Sequence, residues 1–170
     1  GQAAVSDLSL VQNSFLTSAF RMGFVRYGLI NWPGVGRYTK EILDEFDVKA
    51  TGTDALASSL SGGNLQKFIV GREILQSPQL LIVSQPTWGV DAGAAAAIHE
   101  QIQRLISAGA GALVISQDLD EIFALSDRVA VISQGALSPP RPTGEVTPEQ
   151  IGLLMGASHD TSGMSSHAHA

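Results

Sequence analysis

Apolar residues recur with a helical period through the first fifty positions and gather into short, solid blocks beyond residue 78. Ser9 followed by Gln12 forms a capping-box pattern, which predicts a helix carrying Val11, Phe15, Leu16, Ala19 and Phe20 inward. Val35, Tyr38, Ile42 and Phe46 lie three or four apart and predict a second amphipathic helix over about 34–46. On this pattern the first fifty-odd residues are all helical. After "TGTDALAS" a helix is expected from Ser61 to the stop at Ser77-Pro78, and "QLLIVS" then reads as a buried strand. Asp91 suits the cap of a helix with Ile98, Ile102, Leu105 and Ile106 on one face, ended by Gly109 in the left-handed conformation.

A second block, "GALVIS", predicts another strand, followed by a short helix with Asp118 as cap and Glu121 three residues on. A third, "RVAVIS", ends at Gln134-Gly135. Strand, helix, strand, helix, strand with short connections predicts an α/β fold with right-handed crossovers and a parallel sheet. A proline-rich turn, "SPPRP", leads to a last helix opened by Thr147, Pro148 and Gln150. From residue 157 the composition turns to Ser, His, Gly and Ala, which predicts a disordered tail over 157–170. No internal repeat interrupts this order.

Composition narrows the function classes. A chain of 170 residues defaults to one domain able to bury a core. Only 15% of residues are charged against about 25% in an ordinary soluble domain, which points to a surface that meets a partner. The net charge of −6 argues against a sequence-independent nucleic-acid binder. Arg21, Arg26, Arg37, Lys40 and Lys49 cluster early but are interspersed with apolar residues and read as solvated faces. With no cysteine, disulfides and thiolate metal sites are excluded. No apolar run approaches 18 residues, and Gly1 to Asp7 lacks the form of a cleavable signal. The absence of an initiator Met leads to the expectation that the sequence begins inside a longer protein.

The chemistry gathers at "LSGGNLQK", residues 60–67. A Ser-Gly-Gly at a helix entrance offers unpaired amides, a hydroxyl and the positive end of the helix dipole, all suited to a phosphate oxygen. Standing alone it reads more readily as an ordinary Ser61 cap with glycines that ease packing. Its context is distinctive. "LLIVSQPTWGVD" runs a strand into Gln85-Pro86-Thr87 and then Gly89-Val90-Asp91, and "VISQDLDEIFALSDRVAVIS" follows. In that order the sequence resembles the nucleotide-binding domains of ABC transporters over about residues 6–156. The family pattern is a Leu-Ser-Gly-Gly signature, a strand ending Asp-Glu-Pro-Thr, a Gly-Leu-Asp turn and a strand ending at a switch histidine. Within the family it is most similar to the second, C-terminal ATPase half of the duplicated subunits of simple-sugar and nucleoside importers.

The resemblance implies a partial P-loop NTPase domain with a parallel sheet core and a helical subdomain. Its divisions are a helical subdomain over 1–57, the signature helix, Walker B and switch part over 58–138, and a C-terminal turn and helix over 139–156. It also implies ATP and Mg²⁺ as cofactors of an intact dimer in which each signature closes over ATP held by the other domain. Ser61, Gly62, Gly63 and Asn64 would face that ATP, and Asp91 would cross the same interface. The partners implied are a second nucleotide-binding domain, membrane permease subunits and, indirectly, a substrate-binding lipoprotein. The site implied is the cytoplasmic face of the plasma membrane, and the activity is ATP-driven import.

Departures from the pattern qualify this. The Mg²⁺-organising Asp and the catalytic Glu positions carry Ser84 and Gln85, and the switch histidine position carries Gln117. Gln cannot take a proton, and loss of a general base costs on the order of 10²–10⁴ in rate. The phosphate loop G-x-x-x-x-G-K-[ST] is missing, since Lys40, Lys49 and Lys67 all lack a preceding glycine. The chain by itself is therefore expected neither to hold ATP tightly nor to hydrolyse it. The competing reading is a non-catalytic interaction module. Asp118, Asp120 and Glu121 fit an acidic first helical turn better than a metal cluster, and His159, His167 and His169 fit a tail better than a site. Trp88 reads as a packing or interface residue. No G-x-G-x-x-G/A and no G-x-S-x-G occurs, which sets aside dinucleotide-binding and esterase readings.

Overall fold

The computed structural model describes residues 3–156, and these form two compact units that meet in sequence at Ser116 and Gln117. The first unit opens with helix α1 (Leu10–Ser18), whose start is the expected capping box: the Ser9 hydroxyl accepts from the Gln12 amide and the Gln12 side chain accepts from the Ser9 amide. Its inward face differs from the expectation. Leu10, Asn13, Ser14 and Ser18 are buried, whereas Leu16 and Phe20 are exposed. Hydrogen bonding turns Asn13 inward. The Asn13 carboxamide accepts from the Val5 amide at 2.8 Å and donates to the carbonyls of Val5, Leu8 and Ser9, so the segment before α1 folds over a polar stripe.

A small hairpin, β1 (Val25–Arg26) with β2 (Leu29–Ile30), separates α1 from the next helix, so the leading fifty residues are not all helical. Its turn places Tyr27 and Gly28 at φ 52° and 78°, the paired positive values of a two-residue hairpin loop. Helix α2 (Trp32–Glu45) follows, capped by Asn31, whose side chain accepts from the Gly34 amide at 3.0 Å. Val35, Tyr38, Ile42 and Phe46 are buried as the periodicity predicts.

Helix α3 (Gly62–Ile74) is the hub of this unit, packing against α2 and against α4 (Ala92–Ser107). Gly71 admits the Phe46 ring, since a Cβ there would lie 2.6 Å from that ring. Arg72 is buried, yet its guanidinium donates to the carbonyls of Asn13 at 3.2 Å and Ala3 at 2.9 Å and pairs with Glu73 at 2.7 Å. The Tyr38 hydroxyl donates to the Arg72 carbonyl, and burial pushes its pKa well up, so it stays a donor.

Strand β3 (Leu80–Ser84) pairs in parallel with β4 (Gly111–Ile115), register Leu80↔Gly111 to Ser84↔Ile115, with α4 as the connection. Gly109 ends α4 at φ 100°, as expected. The strands are not fully buried: Leu81 faces inward, while Leu80, Ile82, Leu113 and Ile115 are exposed. Helices α3 and α4 cover one face of this pair, and among the described residues of the unit the other lies open.

In the second unit α5 (Leu119–Leu125) is capped by Asp118, which accepts from the Asp120 and Glu121 amides. The "RVAVIS" block is not one parallel strand. It splits into β5 (Arg128–Val129) and β6 (Ile132–Ser133), which pair antiparallel with β8 (Arg141–Pro142) and β7 (Ala136–Leu137). Gln134 and Gly135, at φ 48° and 79°, fold β6 straight back on the next segment, which supplies the partner before any crossover forms. Helix α6 (Pro148–Gly156) starts with a reciprocal Thr147–Gln150 pair. Val131, Val146 and Ile151 make the small core, with Leu119, Phe123 and Val129 against it. The expected disordered tail, with His159, His167 and His169, lies outside the described residues. Among the described residues no helix is long and apolar enough to cross a membrane.

Asn13→Ala leaves several buried backbone groups unpaired and is expected to cost about 3 kcal/mol. Urea unfolding of the two proteins measures it. A difference below about 1 kcal/mol would show that water replaces the carboxamide.

Candidate functional site

Ser61 caps α3: its hydroxyl accepts from the Asn64 amide at 3.4 Å and from the Asn64 side-chain nitrogen at 3.0 Å. The Asn64 side-chain oxygen in turn accepts from the Lys49 amide at 2.9 Å. Asn64 therefore braces the Ser61 hydroxyl against the loop after α2, with the hydroxyl proton left to point elsewhere. Gly62 and Gly63 are the first two residues of the helix, so their amides lack an intrahelical partner.

The two glycines have different reasons to be glycine. A Cβ on Gly63 would lie 2.9 Å from the Gly89 carbonyl oxygen, so the helix mouth and the turn after β3 are in backbone contact. A Cβ on Gly62 would meet nothing within 4 Å. Ser61 and Gly62 are both exposed.

The same turn is held a second time. Gln66, one helical turn past Gly63, donates to the carbonyls of Gln85 at 2.9 Å and Pro86 at 3.1 Å. Gln85 sits just beyond β3 at φ 53°, a left-handed position unusual for a side-chain-bearing residue, and its amide donates to the Ile115 carbonyl at 2.7 Å. Ser84 ends β3 opposite Ile115. Asp91 caps α4, accepting from the Ala94 amide at 2.9 Å. That amide holds its carboxyl below the usual carboxylate range, with Lys67 adding a smaller pull in the same direction. Lys67 also reaches the Asp47 carbonyl at 3.2 Å.

The first unit thus brings Ser61, Gly62, Gly63, Asn64, Ser84, Gln85 and Asp91 onto two contacting segments. Gln117, exposed, opens the second unit. Trp88 is 73% exposed, so it is not a core residue. Sequence reading missed Gln66, whose only advance signal was its place three residues after Gly63 on a helical face.

The donor set bears on Mg²⁺. Ser84 and Gln85 are neutral, and the described residues contain no group of three or more His, Cys, Asp or Glu that would hold an ion. These residues do not fit a carboxylate-held Mg²⁺ site.

The fold matches a dimeric post-hydrolysis state of the ATP-binding cassette MJ0796 bound to ADP and Pi, at TM-score 0.68 and 17% identity over 84% of this chain and 60% of that one. It matches the ATP-binding subunit of an ABC transporter at TM-score 0.68 and 20% identity, over 89% and 64%. No protein-family model matches the chain. Among curated proteins, the nucleoside import ATP-binding protein NupA of Lactococcus lactis is 40% identical over 151 residues, 89% of this chain and 30% of the relative. The guanosine import ATP-binding protein NupO of Bacillus subtilis is 36% identical over 154 residues, 91% and 30%. The ribose import ATP-binding protein RbsA 2 of Streptomyces coelicolor is 37% identical over 150 residues, 88% and 28%. The chain belongs to the ABC ATPase family, is similar within it to sugar and nucleoside import ATP-binding proteins, and spans about 30% of the length of these relatives.

Gly63→Ala is expected to destabilise the protein by about 1–3 kcal/mol, because backbone faces the new methyl, while Gly62→Ala is neutral or slightly stabilising. Thermal unfolding of both variants checks the contrast, and equal effects would contradict it. The lowered carboxyl of Asp91 makes a stability contribution that is present above the ordinary Asp pKa and lost as pH falls through the lower folded value. Asp91→Asn keeps the cap but should flatten that acid limb, measured by urea midpoints from pH 6 down to pH 3.

Proposed function

We propose that this chain is part of the nucleotide-binding subunit of an ABC importer for simple sugars or nucleosides. In this reading its Leu-Ser-Gly-Gly signature completes a composite ATP site whose phosphate loop belongs to a second nucleotide-binding domain. The observation that carries the reading is the open space over Gly62. Gly63 lacks a side chain because its own chain passes there, but nothing in the first unit requires the same of Gly62, so that freedom serves something arriving from outside. A terminal phosphate suits the place: two unpaired amides, a hydroxyl with its lone pairs engaged by Asn64, and the positive end of α3 converge there. Asp91, fixed as the α4 cap, would stand at the same interface.

The chain's own ATP site is proposed to be degenerate. Ser84 and Gln85 bring neither the charge for Mg²⁺ nor a base for water, and Gln117 at the switch position has no proton to exchange near neutral pH. Mg²⁺ would thus be held with ATP on the other domain. The helical region from about Leu8 to Phe46 would pass the closure to membrane permease subunits, and through them to a substrate-binding lipoprotein, at the cytoplasmic face of the plasma membrane. A non-catalytic interaction module is the second reading, favoured by the same neutral pair at the strand end.

In the intact transporter, Ser61→Arg is expected to lower ATP hydrolysis by at least about 10²-fold, and Gly62→Ala to lower it strongly without loss of stability. Gln85→Ala should change the rate little. Hydrolysis that survives the first two changes and collapses with the third would reverse the assignment. Association with an intact ABC domain that is indifferent to ATP would support the interaction module instead.

A further inference from the structure

Residues 8–40 contain four basic residues, Arg21, Arg26, Arg37 and Lys40, and no acidic residue, in a chain whose net charge is −6. All four basic residues are exposed, Lys40 being paired with Asp44 at 2.8 Å, so Arg21, Arg26 and Arg37 supply the charge of this surface. The same stretch exposes an unusual set of apolar side chains: Phe20 is 89% exposed, Tyr27 90% and Leu29 76%, with Leu16 and Trp32 partly so. Scattered single apolar residues at a surface mean little, but these fall together on the end of α1, the β1–β2 hairpin and the start of α2. The hairpin register sets Arg26 opposite Leu29, and the Arg26 guanidinium lies over the Tyr27 ring at 5.4 Å. Trp32 leans on Phe15 at 5.3 Å between ring centres.

The near-complete exposure of Phe20 and Tyr27 means that they protrude. Peptides and helices are recognised by grooves, in which anchor pockets enclose side chains, whereas projecting aromatic and aliphatic tips flanked by arginines suit a soft, deformable layer. Tyr and Trp favour the boundary between headgroups and acyl chains, and arginine adds attraction to anionic lipid. We propose that this tip, Phe20 to Trp32, is a lipid-contact element that docks the chain on an anionic membrane surface. Arg21 and Arg26 would meet headgroup phosphates while Phe20, Tyr27 and Leu29 enter the interface. The inference is independent of the nucleotide chemistry, since it needs neither ATP nor a second domain, and it leaves the proposed permease contact to the rest of the Leu8–Phe46 region.

The test is co-sedimentation of the full 170-residue chain with phosphatidylcholine vesicles carrying about one-third phosphatidylglycerol, which gives them a negative surface potential. Binding is expected at low salt, is lost in about 0.5 M NaCl as the charges are screened, and is absent on pure phosphatidylcholine. Arg21→Gln with Arg26→Gln should lower partitioning by about 25-fold, from roughly fivefold per arginine. Tyr27→Ser with Leu29→Ser, both at exposed positions, should also weaken the low-salt binding. Circular dichroism of each variant checks that the fold is kept. Failure to bind anionic vesicles, or binding that neither pair of changes weakens, would overturn the proposal. So would retention only on membranes that contain a permease, because the partner would then be protein.

Discussion

The Gly89 carbonyl stands where a side chain on Gly63 would have to be, and that close approach governs how the first unit is assembled. It brings the mouth of α3 against the turn that leaves β3, so the signature and the strand end behave as one piece. Gln66 repeats the constraint a turn further along by holding the carbonyls of Gln85 and Pro86. The left-handed backbone at Gln85 is tolerable because hydrogen bonds fix it from both sides, through its own amide to Ile115 and its carbonyl to Gln66. Once these contacts form, Ser61 and Asp91 become caps of two neighbouring helices that start beside one another.

The far half of α3 performs the complementary task. Arg72 gathers the carbonyls of Ala3 and Asn13, and Asn13 gathers the segment from Val5 to Ser9, so a buried polar network ties the start of the chain to the hub helix. Such a network is costly if half satisfied, yet nearly every group here has its partner. Phe46 against Gly71 then seats α2 on the same helix. Motion of the α1–α2 region is therefore mechanically connected to the helix that presents Ser61.

Neutral residues at the strand end and a well-formed helix mouth make physical sense together in the proposed composite site. A site shared between two domains asks different things of its halves: one must hold phosphate and metal, the other must close over them. On the proposed reading, neutral Ser84 and Gln85 would disable the first task and leave the backbone geometry of the second untouched, since amides, caps and glycines do not depend on carboxylates at the strand end. Membership of the ABC ATPase family is consistent with this division.

Much of this was legible in the residue order. The capping pairs at Ser9, Asp91, Asp118 and Thr147, the α2 stripe and the motif succession from Leu60 to Asp91 rest on neighbours a few positions apart, and local rules read those well. What the sequence alone could not determine were choices made by distant partners. Asn13 took the inward face of α1 from Leu16 and Phe20 because the backbone of Val5, Leu8 and Ser9 needed hydrogen bonds there. A Tyr-Gly pair is a weak turn signal, so the β1–β2 hairpin stayed hidden, and "RVAVIS" looked like one strand until Gln134-Gly135 turned it back on itself. The reasons for glycine were likewise invisible: only packing separates Gly63, pressed by its own backbone, from Gly62, which faces open space.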